Sequence, residues 1–244
     1  MINMLTRDDC ITCQALYDKY QLHVYQLVGA RIARLYGRTG GVAADVGTGP
    51  GYLAVQLARL AGADVLALDI NPAMLELAED VVRRAGLDAR VTLVQGDVHD
   101  LPWPTGTIDL LVSYTCMHHW AEPAKALSEC YRVLSPGGLM IIIDARPVSA
   151  RTISSFAELM PEPEYFGIIE KAYLESLSET DARAFFQEAG IPADEVTGLE
   201  PTVEDIMDCL ESGEPFEIPK TSVQIDEPTL WMITTRKPLS KDSP

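Results

Sequence analysis

Basic residues are scarce in this 244-residue chain: 19 Lys and Arg stand against 36 Asp and Glu, for a net charge of −17. The shortage is steepest between Glu158 and Glu217, where seventeen acids meet only Lys171 and Arg183. A protein that grips a phosphate backbone needs cationic surface to displace counterions. With no basic stripe, nucleic acid is not an expected partner. The acidic run reads as a solvated face, or as an attractive rim for a cationic ligand. Long hydrophobic runs are missing too. The longest, Leu139 to Ile143, has strand length, far from the ~20 residues of a membrane helix. The first residues carry Arg7, Asp8 and Asp9 without the apolar core of a secretory signal. The expectation is a cytoplasmic protein with no membrane partner. Cysteines number five (Cys10, Cys13, Cys116, Cys130, Cys209), an odd and scattered set that argues against a disulfide framework. Cys10 and Cys13 have C-x-x-C spacing, but no second pair follows at zinc-site spacing and they precede the first strand. No metal is expected.

What is present is alternation. Leu16, Tyr20, Val24, Leu27, Val28, Ile32 and Leu35 mark one or two helices over 11–36, which Gly37 and Gly40-Gly41 stop. Strands follow at about 42–46, 64–69, 90–95, 108–113 and 138–144, with helices at about 51–61, 72–85 and 121–134 between them. A Pro-containing loop at 97–107 stands where a helix would be expected. Strands separated by helices imply a parallel sheet. Asn71-Pro72 starts a helix, and Ser135-Pro136-Gly137-Gly138 reads as a turn before the fifth strand. Beyond Asp144 the pattern loosens. A helix near Ile153–Met160 is halted by Pro161-Glu162-Pro163, a short helix spans 170–177, and another runs from Ser178 to Gly190. Strand-like runs near 195–199 and 229–235 flank a helix around 203–211.

The most informative stretch is Val42-Ala43-Ala44-Asp45-Val46-Gly47-Thr48-Gly49-Pro50-Gly51. A buried strand containing an acid breaks into a tight glycine turn and restarts as a helix. In open α/β sheets such a turn lies where ligands bind. Two more acids occupy equivalent places, Asp69 ending strand two and Asp97 following strand three as Gly96-Asp97-Val98. A carboxylate at the end of strand two can accept ribose hydroxyls. The turn is G-x-G-x-G, not the G-x-G-x-x-G that brings a helix N-terminus onto a pyrophosphate. Crowded acids would repel a pyrophosphate and attract a sulfonium and an ammonium.

With these pieces in order, residues 42–144 resemble the core of class I S-adenosylmethionine (SAM)-dependent methyltransferases, of the ubiquinone/menaquinone-biosynthesis type of small-molecule enzymes. The resemblance also rests on Ala67-Leu68-Asp69-Ile70-Asn71-Pro72-Ala73-Met74-Leu75 and on Gly96-Asp97-Val98-His99-Asp100-Leu101-Pro102-Trp103. It continues in Ile108-Asp109-Leu110-Leu111-Val112-Ser113, Met117-His118-His119-Trp120 and Tyr131-Arg132-Val133-Leu134-Ser135-Pro136-Gly137-Gly138. It implies a Rossmann-like three-layer αβα sandwich whose seven-stranded sheet is mostly parallel, the last strand antiparallel, with an N-terminal helical segment and a helical insertion after strand five. One domain is expected over 1–244: N-terminal helices to residue 40, a SAM-binding core over 41–144, an acceptor-site cap over 145–178, and the end of the sheet over 179–244.

The resemblance also assigns roles. Asp45, Gly47, Thr48, Gly49 and Gly51 match the turn that holds the methionine part, and Ser113 lies near it. Asp69 matches the ribose acid, Ile70 and Met74 flank adenine, and Asp97 with the Val98 amide reads its edge. His118 and His119, after strand four, are candidate proton acceptors near the emerging methyl group; local hydrogen bonding is the competing role. Tyr17, Tyr20 and Tyr25 could reach over the crevice or simply pack, and Arg146 could clamp an acceptor carboxylate or pair with a neighbouring acid. The segment Phe156–Phe166 reads as a lid or a packed helix. Ser113-Tyr114-Thr115-Cys116 stands where enzymes of base amines carry Asp/Asn-Pro-Pro-Tyr, which points to a small-molecule acceptor. Two other readings stay open: a SAM-binding module acting through a protein partner, and a nicotinamide oxidoreductase, which the glycine spacing disfavours. A homodimer is left open.

Overall fold

The computed structural model describes residues 5–239. Among them seven strands form one sheet: β1 Val42–Val46, β2 Asp64–Asp69, β3 Val91–Gln95, β4 Ile108–Tyr114, β5 Leu134–Ala145, β6 Glu195–Gly198 and β7 Leu230–Arg236. The order is β3-β2-β1-β4-β5-β7-β6. Strands β1 to β5 pair in parallel, and β7 runs antiparallel to both β5 and β6. Strand order reverses between β1 and β4, so the chain diverges there and leaves a crevice at the carboxyl edge.

The central strands are buried on both faces, which is why they read as continuous apolar runs. Ala43, Leu110, Val112, Ile141 and Ile143 face α2 (Leu22–Tyr36), α3 (Tyr52–Leu60) and α4 (Pro72–Arg84). Ala44, Val46, Leu111, Met140 and Ile142 face α5 (Pro123–Val133) and α8 (Glu179–Glu188). The result is the three-layer αβα sandwich expected, and the two last strands pair despite the long segment between them.

Three helices cover the carboxyl edge: α1 (Arg7–Tyr20), α6 (Ala150–Leu159) and α7 (Pro163–Leu174). Thr6 and Asp9 form a reciprocal capping box that starts α1. One face of α1 packs Cys10 and Cys13 onto Met74 of α4, and Leu16 onto Met160 and Ile169. Polar ties hold the helix in place. Asn71 Nδ2 donates to the Leu5 carbonyl at 2.9 Å, Tyr52 Oη donates to Asp18, and Tyr20 Oη donates to Glu162 Oε2 at 2.7 Å. The C-x-x-C pair is thus a buried packing edge, and burial pushes the Cys13 thiol up to about 12.

Two local expectations need correction. The helix placed at 170–177 begins at Pro163, because proline at the first helical position has no amide to lose and starts the helix. The residues Ser135–Gly138 lie inside β5: Ile108 pairs with Leu134 and Leu110 with Leu139, so the extra residues bulge out. Gly137, at φ +79°, carries that bulge and its amide bonds the Lys237 carbonyl at 2.8 Å.

Helix α9 (Val203–Glu211) fastens the acidic segment to α2. Buried Asp205 takes Arg31 and Arg34 together, at 2.5 and 2.8 Å. Removing Asp205 leaves the half-buried Arg31 without its carboxylate, while Arg34 keeps Asp208 at 2.7 Å. Asp205→Ala should therefore lower the unfolding free energy by about 3 kcal/mol in a urea titration. Val203→Ala, at an exposed position of the same helix, should change it by less than about 0.5 kcal/mol.

Candidate active site

The glycine turn between β1 and α3 is held from both sides. Gly47 and Thr48 donate their amides to the Leu68 carbonyl at 2.8 and 2.9 Å. Gly47, at φ +76°, also has no room for a side chain: a Cβ would lie 2.1 Å from Cys116 Sγ. Cys116 reaches that position because Thr115, at φ +48°, turns the chain sharply after β4. A β-branched residue in the left-handed region is strained, and such strain concentrates at functional sites.

Three carboxylates converge on this edge, each with a different attachment. Asp45 is fully buried and accepts from Thr48 Oγ1 at 2.6 Å. Burial pushes its pKa up to about 7, against the pull of that bond. Asp69 Oδ2 accepts the Gly49 amide at 2.8 Å and Oδ1 the Asn71 amide at 2.8 Å, so one carboxylate ties the glycine turn to the start of α4. Burial raises its pKa as well. Both oxygens keep a second lone pair for a ligand hydroxyl. Asp97 stands further out, its side chain 45% exposed. Burial acts to raise its pKa, but the His99 amide and ring outweigh it and hold the carboxyl below its usual value.

The residues expected around an adenine divide. Ile70 is an exposed apolar side chain beside Asp69, whereas Met74 is buried under α1. Val98 is buried, and its amide has no partner among the described residues. Ser113 is buried with an unpartnered hydroxyl at the end of β4. These free donors, the buried acids and the open glycine turn are what a donor bearing a sulfonium, an ammonium, a ribose and an adenine would need. The site fits SAM on its own chemistry.

The turn Met117–His119 follows directly. His118 is the member that points inward: its side chain is 2% exposed, and its Nδ1 meets Asp144 Oδ1 at 2.7 Å. Asp144 is fully buried at the end of β5 and also accepts the His118 amide at 2.9 Å. A carboxylate on Nδ1 selects the tautomer with the proton there and leaves a lone pair on Nε2. That Nε2 is buried and has no partner among the described residues. His119 lies outside it with ring centroids 3.9 Å apart. Desolvation, and then the His118 ring, push the His119 pKa down to about 4. Asp144 was not among the expected site residues. Its signal was available: it is the fourth acid at the carboxyl end of a strand.

Of the tyrosines, Tyr25 is buried between Tyr52 and Tyr114, with ring centroids 5.3 and 5.4 Å away. Tyr17 packs edge-on to Tyr25 and Tyr52 at the crevice. Tyr20 turns toward the cap, edge-on to Tyr165. Phe156, Met160 and Tyr165 pack with Leu16 and Tyr173, so the lid segment is the packed cap over α1. Arg146 is half-buried just past Asp144, and its charge helps hold the Glu227 carboxyl low. Its amide donates to the Thr229 carbonyl at 3.1 Å.

A family model described as a methyltransferase domain matches residues 44–142. The chain is 33% identical over 109 residues to a ubiquinone/menaquinone biosynthesis C-methyltransferase of Marinomonas, covering 44% of this chain and 43% of that protein. It is 32% identical over 132 residues to a demethylmenaquinone methyltransferase of Thermus thermophilus, covering 54% and 53%. The matches span about half the length of those relatives or less. A crystal structure of a SAM-dependent methyltransferase from Aquifex aeolicus superposes over 96% of this chain and 99% of that one, with a TM-score of 0.67 at 18% identity.

Because the folded Asp45 carboxyl holds its proton to about pH 7 while the unfolded one releases it near pH 4, the folded state binds the extra proton between those values. Stability contributed by this group is complete below about pH 4 and is lost as pH rises through about 7. In thermal melts between about pH 4 and 7 Asp45→Asn should remove that decline, the variant's Tm holding level where the wild type's falls.

Proposed function

We propose that this chain, whose residues 44–142 match a methyltransferase-domain model, moves a methyl group from SAM to a small-molecule acceptor. The single observation that carries the reading is the convergence of Asp45, Asp69 and Asp97 around a glycine turn at the β1/β4 switch point. SAM, when bound, supplies an electrophilic methyl carbon on a sulfonium, displaced in line to leave S-adenosylhomocysteine.

In this reading the chain's residues divide the work. Gly47, Thr48, Gly49 and Gly51, with Asp45 and the Ser113 hydroxyl, hold the methionine part. Asp69 takes the ribose hydroxyls, Ile70 flanks the base, with Met74 behind it under α1, and Asp97 with the Val98 amide reads its edge. Helices α1, α6 and α7 exclude water and hold acceptor and donor aligned, which is the main requirement of a displacement on carbon. An acceptor that must lose a proton meets the His118 Nε2 lone pair, with Asp144 holding the ring and stabilising the imidazolium that forms. His119, largely uncharged at neutral pH, flanks that ring. Arg146, Tyr17 and Tyr20 line the acceptor side, Arg146 being suited to an anionic group. The acidic segment offers nothing to a nucleic acid.

The test is direct. Purified protein with SAM and a metabolite extract should form S-adenosylhomocysteine; binding of SAM without product across broad extracts would favour a binding module, and no binding would sink the reading. Asp69→Ala should abolish S-adenosylhomocysteine binding. Asp144→Asn and His118→Ala should each cut kcat by roughly 10²-fold, in the range general-base catalysis contributes. Both should leave that binding within about twofold, whereas a donor-site role for the pair would change binding along with turnover.

A further inference from the structure

The loop after β3 holds an arrangement that the donor site does not require in general. Asp97 Oδ1 accepts two bonds from the same residue: the His99 amide at 2.9 Å and the His99 ring Nδ1 at 2.5 Å. Its Oδ2 accepts none among the described residues. The His99 ring is itself fixed, because Nε2 accepts the Glu122 amide at 3.2 Å. A backbone amide can only donate, so Nε2 carries the lone pair and Nδ1 the proton. The ring is 10% exposed, packed between the loop and the first residue before α5. Both nitrogens are therefore committed, and a ring flip would break two bonds at once.

The consequence falls on Asp97. A carboxylate on an exposed loop ordinarily samples several orientations, and each costs binding free energy to select. Here one oxygen is pinned by two donors from a locked ring, so the other is presented in one direction only. We infer that His99 is a positioning residue which fixes Asp97 Oδ1 so that Oδ2 is aimed at the exocyclic amine of the adenine. The inference rests on the donor reading proposed above. It adds that selectivity for adenine over a base with a carbonyl at that position is built by His99 through Asp97. The same ring spans from that carboxylate to Glu122, which follows the turn carrying His118 by only a few residues.

The experiment compares binding of S-adenosylhomocysteine and S-inosylhomocysteine by calorimetry, since the two differ at the amine that Asp97 Oδ2 would accept. Wild type should prefer the adenine compound by at least about tenfold, because a site built to accept a hydrogen bond rejects the analogue that lacks the donor. Two variants separate the nitrogens of His99. The His99→Asn amide can donate near the Nδ1 position, and this variant should keep most of the preference. The His99→Gln carbonyl can reach the Glu122 amide but leaves Asp97 without its ring donor, and its preference should shrink below about threefold. Thermal melts of the two variants control for folding. Retention of the full preference in a folded His99→Gln overturns the inference, as does loss of it in a folded His99→Asn. Wild type that binds both compounds equally also overturns it and leaves the donor reading standing. Wild type that binds neither overturns both.

Discussion

The carboxylate of Asp69 is the contact on which the edge of this sheet depends. With one oxygen on the Gly49 amide and the other on the Asn71 amide, it joins the ends of β1 and β2 across the base of the crevice. Both amides belong to segments that would otherwise leave unsatisfied donors: a glycine turn with positive φ and a helix start. One side chain thus satisfies two backbone groups and sets the separation between two loops. The arrangement is costly in isolation, since a buried carboxylate is driven toward its neutral form and Asp45 stands close by in the same condition. Acids gathered at one edge form a field that a positively charged ligand relieves. The same residues that shape the turn thereby define what it can hold.

Around that edge the acids are graded by burial. Asp45 and Asp144 are fully enclosed; Asp45 holds Thr48, and Asp144 holds the His118 ring while also taking the Ala145 amide at 2.7 Å. Asp97 is half in solvent and its charge is maintained by His99. A graded set of this kind can do different chemistry with one residue type: shape a turn, orient an imidazole, and present a bare oxygen.

Much of this was readable before any coordinates. The strand pattern, the glycine turn and the strand-end acids follow from short-range rules of period and turn chemistry, and they recover the sheet and most of the crevice. What escaped were relations between distant residues. Asp144 and His118 are 26 positions apart, and neither periodicity nor spacing ties a strand-end acid to a particular ring. The second role of His99 needed the Glu122 amide, 23 positions on. Pro163 misled for a different reason: proline signals a stop inside a helix and a start at its first turn, and only the following residues decide which.

Helix α1 precedes everything it covers. Its buried face finds Met74 only after two strands have been made, and Met160, Ile168 and Ile169 only when most of the sheet exists. The burial of Cys10, Cys13 and Leu16 therefore depends on non-local contacts, which close a long loop of chain. The roof of the crevice is thus held by contacts between segments far apart in the chain.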